Sequence, residues 1–327
     1  LNPKKILLIR TDRIGELILT TPAINSVRSA FPEAEISLIV SASSFEAVEG
    51  MRSVDTVLAV DPVSEFSSIR GTFKFILSLR KQDFDMAVIF NPSKFMNLSV
   101  FLAGIPVRVG YDRKLGFLLN RRIADRKYLC EKHEVDYNLD LIKSVGVNPS
   151  GQNLSFVVLP ANEETAEAIA RGAGLLSGEK FIAVHAATSN PEKVWPADRF
   201  AAFCNMAEAR LGVKVVLVGG KDEERISQEV KDKAGISFCD LTGKLKLKEF
   251  AALLKKAALL VSCDSGPVHV SAAVGTPVVA LFGESRPGGS SRRWGPYGAG
   301  HTVVGKPAVV DISVGEVFEA VKARISL

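Results

Sequence analysis

With 327 residues, 47% of them hydrophobic and 24% charged, the chain has the make-up of a soluble globular protein and the length for two domains. No uncharged apolar run approaches the roughly 18–20 residues that span a bilayer. The formal charge of +5 is spread evenly, with 20 basic and 17 acidic residues up to position 160 and 21 and 19 beyond it, which argues against nucleic acid as a partner.

In chain order, Lys5 to Arg10 reads as a first strand and Thr11-Asp-Arg-Ile-Gly-Glu16 as a turn. A helix over Leu17 to Phe31 follows, with Pro22 as a point of kinking. Glu16 then stands where a strand passes into a helix, at the strand's carboxyl end, which is where open α/β sheets hold ligands. It suits a general base, and equally a carboxylate that merely favours a helix N-terminus. Strands at Ile36–Val40, Thr56–Val60 and Met86–Phe90 alternate with helical segments at Phe45–Met51 and Ile69–Arg80. That alternation predicts a mostly parallel sheet with helices on both faces. Asp83-Phe-Asp85 precedes a strand and fits strand-entry polarity, so no metal is assigned to it.

Asn91 to Leu102 continues as loop and helix, and Gly104 to Tyr111 carries a short strand. Arg108, Arg113, Lys114, Arg121, Arg122, Arg126 and Lys127 then outnumber Asp112 and Asp125. Such a stretch is a solvated face, or meets an anionic substrate or membrane surface. His133 to Val145 has helical period, and Gly146 to Asn153 has linker composition, so the domain boundary is expected near residue 160. Glu163 to Leu176 reads as helix.

The second half repeats the alternation. Strands are expected at Phe181–Ala186, Val213–Val218 and Ile236–Cys239, and helices at Phe200–Leu211, Ile226–Ala234 and Lys248–Ala257. The loop after the first of these strands offers Thr188, Ser189 and Lys193 as phosphate partners. Ala257 to Val261 is a short apolar strand leading to Asp264-Ser265-Gly266-Pro267, where Ser265 or Gly266 caps a helix and Pro267 fits its first turn. Val268 to Val274 is that helix, and Val278 to Phe282 the next strand. The helix is either an ordinary crossover or an anion site, its free N–H groups facing a phosphate and Asp264 the hydroxyls of an attached sugar. The Gly- and Ser-rich run 284–298 is expected to be a mobile loop, and Val314 to Ile325 the last helix.

Two look-alikes fail. Gly172-Ala-Gly174 follows a helix instead of a strand, and Gly300-His-Thr-Val-Val-Gly-Lys306 is followed by Pro307 instead of Ser or Thr. The cysteines Cys130, Cys204, Cys239 and Cys263 form no CxxC pair and read as free thiols of a reducing cytoplasm; the scattered histidines show no zinc spacing.

With these residues in view the sequence resembles glycosyltransferase family 9, the bacterial lipopolysaccharide heptosyltransferases. The resemblance runs nearly end to end. It rests on Ile9-Arg-Thr-Asp-Arg-Ile-Gly-Glu16 with Thr21-Pro22-Ala23, His185-Ala-Ala-Thr188 with Lys193-Val-Trp-Pro196, Asp264-Ser-Gly-Pro-Val-His269, and Arg293-Trp-Gly-Pro-Tyr-Gly298. It implies an α/β protein of GT-B fold, two Rossmann-like α/β/α domains with mostly parallel sheets facing a cleft. Residues 1–160 would bind the acceptor and residues 161–327 the nucleotide sugar, the last helix, 314–325, packing back on the first domain.

The resemblance further implies an inverting transfer of heptose from an ADP-activated donor to the phosphorylated lipopolysaccharide core, without metal or cofactor. The setting would be cytoplasmic, at the inner face of the inner membrane. Glu16 takes the place of the general base, where the family usually has Asp. Thr188, Ser189, Lys193, Asp264, Ser265, Gly266 and His269 fall in the donor motifs, Glu223 and Leu245 match positions around adenosine, and Arg13 and Arg113 are candidates for the acceptor. A family 9 transferase for another nucleotide sugar, a sugar-nucleotide epimerase of similar fold and a non-catalytic nucleotide-sugar-binding protein are the alternatives.

Overall fold

The computed structural model describes residues 2–61, 68–235, 238–285 and 288–325. The chain divides into two compact units, Leu1–Val157 and Val158–Leu327.

In the first unit the strands are β1 (Lys5–Arg10), β2 (Glu35–Ser41), β3 (Thr56–Val60), β4 (Met86–Ile89), β5 (Val107–Tyr111) and β6 (Arg121–Ile123). They form one sheet in the order β3-β2-β1-β4-β5-β6, with every pair parallel. Parallel neighbours require crossovers. These are supplied in part by α1 (Ile14–Ile18), α2 (Thr21–Ala30), α3 (Ile69–Gln82) and α4 (Lys94–Leu102), and α5 (Glu134–Lys143) follows β6. Ile6 to Ile9 are wholly buried, as a central strand covered on both faces must be. The chain runs outward from β1 to β3, then returns to lay β4 on the other side of β1, with Ile9 opposite Ile89. Strand order therefore reverses between β1 and β4, and a crevice opens at their carboxyl ends.

The second unit repeats this order. Its strands are β7 (Phe181–His185), β8 (Lys214–Leu217), β9 (Cys239–Asp240), β10 (Leu260–Cys263), β11 (Val278–Gly283) and β12 (Thr302–Lys306), arranged β12-β11-β10-β7-β8-β9 and again all parallel. Its helices are α6 (Pro160–Gly172), α7 (Ala197–Leu211), α8 (Glu224–Ala234), α9 (Leu247–Lys256), α10 (Gly266–Ala273), α11 (Ser291–Trp294) and α12 (Val314–Ile325). The reversal falls between β7 and β10, where Ser262 pairs with His185. Trp195 packs edge-on to Phe200 at 4.8 Å in the core beneath α7. The last helix, α12, buries Val317, Phe318 and Val321 in this second core.

Several elements differ from expectation. The helix expected over 17–31 is two, α1 and α2. Pro22 has no N–H for the Ile18 carbonyl, and the hydroxyl of Thr21 donates to that oxygen at 2.7 Å, while Thr20 donates to the Glu16 carbonyl at 2.8 Å. Glu16 accordingly lies inside α1, in its first turn. The segment 45–51 contributes to a 3-10 turn over Ala42–Ala47. The short strands β6, Arg121-Arg122-Ile123, and β12, Thr302-Val-Val-Gly-Lys306, were not expected. Of the strand expected at Ile236–Cys239, Ile236 and Ser237 lie outside the described residues, as do Arg286 and Pro287 of the 284–298 run. Within that run the Glu284 carboxylate accepts from Ser291 N at 3.1 Å, and Trp294 Nε1 donates to the Gly288 carbonyl at 2.8 Å. Among the described residues no helix is long and apolar enough to cross a membrane.

Candidate functional site

Each sheet places a cluster of polar side chains at its reversal point. In the first unit β1 ends at Arg10, and the chain leaves through Thr11–Arg13 into α1, with the exposed Arg13 as its N-cap. The Arg10 side chain is only 2% exposed and occupies the crevice. Its Nε donates to Asp12 at 2.7 Å, and its Nη atoms reach Phe90 O at 3.4 Å, Asn138 Oδ1 at 3.3 Å and Glu134 Oε1 at 3.3–3.4 Å. Glu134, 1% exposed, also accepts from Lys127 Nζ at 2.7 Å. That ammonium lies 4.3 Å from the centroid of the Tyr111 ring. Two buried cations thus share one carboxylate, an arrangement that survives burial only when each charge is partnered.

This cluster sets the character of Glu16. Burial raises its pKa above the ordinary carboxylate value and the Asp12 charge adds to the rise; Arg10 opposes both without cancelling them. Arg10 keeps its charge, because Asp12 and Glu134 outweigh the burial that disfavours it. A half-buried carboxylate with raised proton affinity at a sheet's carboxyl edge is fitted to accept a proton.

The basic stretch 108–127 is less of a free patch than its composition suggests. Lys127 is buried against Glu134. Arg108 donates to Ile105 O at 2.6 Å and Leu118 O at 2.9 Å. Arg113, proposed for the acceptor, pairs with Asp125 at 3.2 Å, and Arg122 lies 3.7 Å from Asp112.

In the second unit β7 ends at His185, which is 2% exposed. Its Nε2 meets Glu223 Oε2 at 3.0 Å, and its Nδ1 faces Ser262 Oγ at 3.1 Å and Ser265 Oγ at 3.4 Å. A carboxylate only accepts, so in the neutral ring Nε2 carries the proton and Nδ1 accepts from hydroxyl. Glu223 Oε2 also accepts from Gly220 N at 2.7 Å. Burial pushes the Glu223 carboxyl up, but the bonds from His185 and Gly220 bring it below its ordinary value. A Cβ at Gly219 would stand 2.7 Å from Glu223 Oε2 and push that carboxylate off its bonds to His185 and Gly220. Half-buried Leu245 sits in the neighbouring loop, which Gly243 N ties to Gly219 O at 3.0 Å.

Beside His185, the loop after β10 carries Asp264 and Ser265 into α10. Ser265 is the N-cap, yet its hydroxyl caps nothing; it turns to Ser262 at 2.9 Å and to His185. Ser265 therefore gives the α10 N-terminus no side-chain cap, and the dipole end of the helix is positive. Asp264 is buried and ion-paired with Lys193, whose 3-10 turn is started by Asn190 accepting from Glu192 N at 3.0 Å. Thr188 is half-buried and Ser189 exposed on the same loop, and His269 is buried within α10. Lys193, Asp264, Gly283, Ser285, Pro307 and Ala308 line a cavity of about 280 Å³ at the carboxyl ends of β10, β11 and β12. Behind it, burial pushes the Cys263 thiol up to about 12.

The structure thus gathers Lys193, Asp264, Ser265 and Gly266 at one crevice, with Glu223 joined to it through His185. Arg10, Lys127, Glu134 and His185 were not assigned from sequence as members of these clusters. The available signal was a charged or polar side chain closing an otherwise apolar strand, as Arg10 closes β1 and His185 closes β7.

The family model for glycosyltransferase family 9 (heptosyltransferase) matches residues 72–314. Lipopolysaccharide heptosyltransferase 3 of Escherichia coli is 24% identical over 276 residues, covering 82% of this chain and 80% of that one. The glycosyl transferase family 9 crystal structure from Veillonella parvula DSM 2008 superposes with a TM-score of 0.89 at 24% identity, over 99% of this chain and 97% of the other. E. coli heptosyltransferase WaaC with ADP gives a TM-score of 0.75 at 20% identity, over 98% and 99%. What these structures share with the chain is the fold, the two six-stranded parallel sheets of the GT-B type.

Proposed function

The chain belongs to glycosyltransferase family 9, and we propose that it transfers a heptose from an ADP-activated donor to the inner core of lipopolysaccharide, at the cytoplasmic face of the inner membrane. The observation that carries this reading is the Lys193–Asp264 pair beside the N-terminus of α10, which the Ser265 hydroxyl does not cap. A sugar diphosphate presents an anion next to hydroxyls, and this pair presents a cation and a helix N-terminus next to a hydrogen-bond-accepting carboxylate. The solved relative that carries ADP lends the nucleotide its identity.

In this mechanism Glu16 takes the proton of the attacking acceptor hydroxyl. The new C–O bond forms at the anomeric carbon as the bond to the diphosphate breaks, on the opposite side, so configuration inverts. Lys193 and the α10 amides stabilise the charge gathering on the departing diphosphate. Asp264 and Thr188 orient the sugar and phosphate, Leu245 borders the adenosine, and Arg13 and Arg113 meet phosphate on the acceptor core.

The test is incubation with ADP-heptose and truncated lipopolysaccharide acceptors, read by mass spectrometry. One heptose unit should be added, and Glu16→Gln should lose turnover by roughly 10²-fold or more while keeping its donor affinity. Thermal stabilisation by UDP- or GDP-sugars alone would reject the ADP donor, and unchanged turnover in Glu16→Gln would remove it from the mechanism.

A further inference from the structure

Helix α3 shows an unusual outer surface. Its inner side packs conventionally: Ile76 and Leu79 are buried in the core, and Phe75 meets Phe95 of α4 at 5.6 Å between centroids. Its ends are also well made, with Ser68 accepting from Gly71 N at 3.0 Å and Asp83 closing the helix at a φ of 55°. Yet Ile69, Phe73 and Leu77, spaced one per turn, are 91%, 61% and 39% exposed. A run of large side chains left in water on a well-ordered helix marks a contact surface.

Charge says what kind. Residues 69–82 contain Arg70, Lys74, Arg80 and Lys81 and no carboxylate. All four cations are exposed, and none makes an ion pair among the described residues. Arg70, Lys74 and Lys81 share the helical row next to the apolar ridge. The neighbouring α4 adds exposed Leu98, Phe101 and Leu102, with the Arg108 guanidinium 5.4 Å from the Phe101 centroid. An apolar ridge edged by cations is the pattern of a helix lying in the headgroup layer of an anionic bilayer. A second copy seated on the same ridge would bring two sets of four like charges together, which disfavours that occupant.

We propose that the Ile69–Phe73–Leu77 ridge of α3, with its flanking Arg and Lys side chains, docks this protein on an anionic phospholipid surface. The apolar side chains enter the acyl boundary and the cations meet lipid phosphates. Because α3 follows β3, its Ile69 end stands at the carboxyl edge of the first sheet, the edge that also holds Glu16. Docking along the ridge therefore sets that edge beside the bilayer surface, where a lipid-anchored acceptor would be found. The inference goes beyond the transfer reaction and does not depend on it, since binding to vesicles requires no turnover.

The test is co-sedimentation of the full chain with vesicles of phosphatidylcholine alone and of phosphatidylcholine mixed with phosphatidylglycerol. Binding is expected on the mixed vesicles and should weaken with added salt. Phe73→Ser should weaken it roughly tenfold, and Lys74→Ser or Lys81→Ser about fivefold each. These side chains are exposed, so the thermal transition of each variant should match the parent and serves as the folding control. Failure to bind the mixed vesicles, or equal binding by Phe73→Ser and Lys74→Ser, would overturn the proposal. So would a dimer in sedimentation equilibrium that Phe73→Ser dissolves, which would assign the ridge to a second copy.

Discussion

Replacing Glu134 by Gln keeps its shape and removes the negative charge that Arg10 and Lys127 share in the first unit. At an effective dielectric constant of about 20, the 2.7 Å contact to Lys127 corresponds to about 6 kcal/mol of attraction and the 3.3 Å contact to Arg10 to about 5 kcal/mol. Desolvation of three buried groups offsets most of that gain. Removing one partner of a buried pair nonetheless costs about 3–5 kcal/mol, because the remaining charge cannot return to water. Glu134→Gln should therefore lower the urea midpoint by about 2 M. Adding Lys127→Met removes the stranded ammonium and leaves Arg10 with Asp12, so the double variant should regain about 1–3 kcal/mol over Glu134→Gln alone. Both tryptophans, Trp195 and Trp294, lie in the second unit, so their fluorescence is the wrong reporter. Far-ultraviolet circular dichroism, with hydrogen–deuterium exchange of peptides covering 5–10 and 134–143, reads the right region. A Glu134→Gln protein within about 1 kcal/mol of the parent would refute the reasoning, as would a double variant less stable than the single.

The proton affinity of Glu16 carries a pH signature. A base must be deprotonated, so the acid limb of kcat/KM should sit above the ordinary carboxylate range. Asp12→Asn removes one cause of the rise and should move the limb to lower pH; a move to higher pH would contradict the electrostatics. Because the folded pKa is raised, the stability linked to Glu16 is fully present below its unfolded pKa and is lost as pH rises through the folded value. Glu16→Gln should thus be more stable than the parent at neutral pH, by thermal denaturation. Gly266→Ala separates ligand approach from folding: an added Cβ meets nothing within 4 Å, so stability should hold while ADP-sugar affinity falls in calorimetry. Cys204 and Cys263 are buried, with their thiols pushed up by burial, so native iodoacetamide treatment should label only the half-buried Cys130 and Cys239, as counted by intact mass.

The strand and helix alternation was legible because central parallel strands are uniformly apolar, as Ile6–Ile9 and Val278–Phe282 are. Edges were not. Strand β6 is Arg121-Arg122-Ile123, whose side chains carry no core pattern, and β12 exposes alternate residues at a sheet margin where pairing alone defines it. The break at Thr20 was half visible: Pro22 signalled it, but the hydroxyls that take over the orphaned carbonyls act only once the turn exists. For the clusters, position beside strand ends nominated Glu16, Lys193 and Asp264, which sit in loops or first turns, and the family resemblance gave them roles. Their partners arrive from far along the chain, Glu134 lying 124 residues after Arg10 and Glu223 38 after His185. Nothing local encodes such pairings. Composition misled at Lys127, which counts as basic surface in the sequence but is a buried half of an ion pair.

The two sheets share one strand order, and each fills the crevice at its own reversal point with different chemistry. Where β1 ends, a permanent cation, Arg10, is fixed by groups from α1's approach and from α5; such a group cannot give up its proton, so it tunes the carboxylates around it without joining proton transfer. Where β7 ends, a neutral-capable ring, His185, ties the loop after β8 to the N-cap of α10 through Glu223 and Ser265. The Ser265 hydroxyl is held away from the α10 amides by Ser262 Oγ at 2.9 Å, with His185 Nδ1 farther off at 3.4 Å. The positive helix end is thus kept available by a contact on the far side of Ser265. Replacing Ser262 by Ala removes the nearer partner and should let Ser265 turn to cap its own helix, steadying α10 while weakening its hold on an anion.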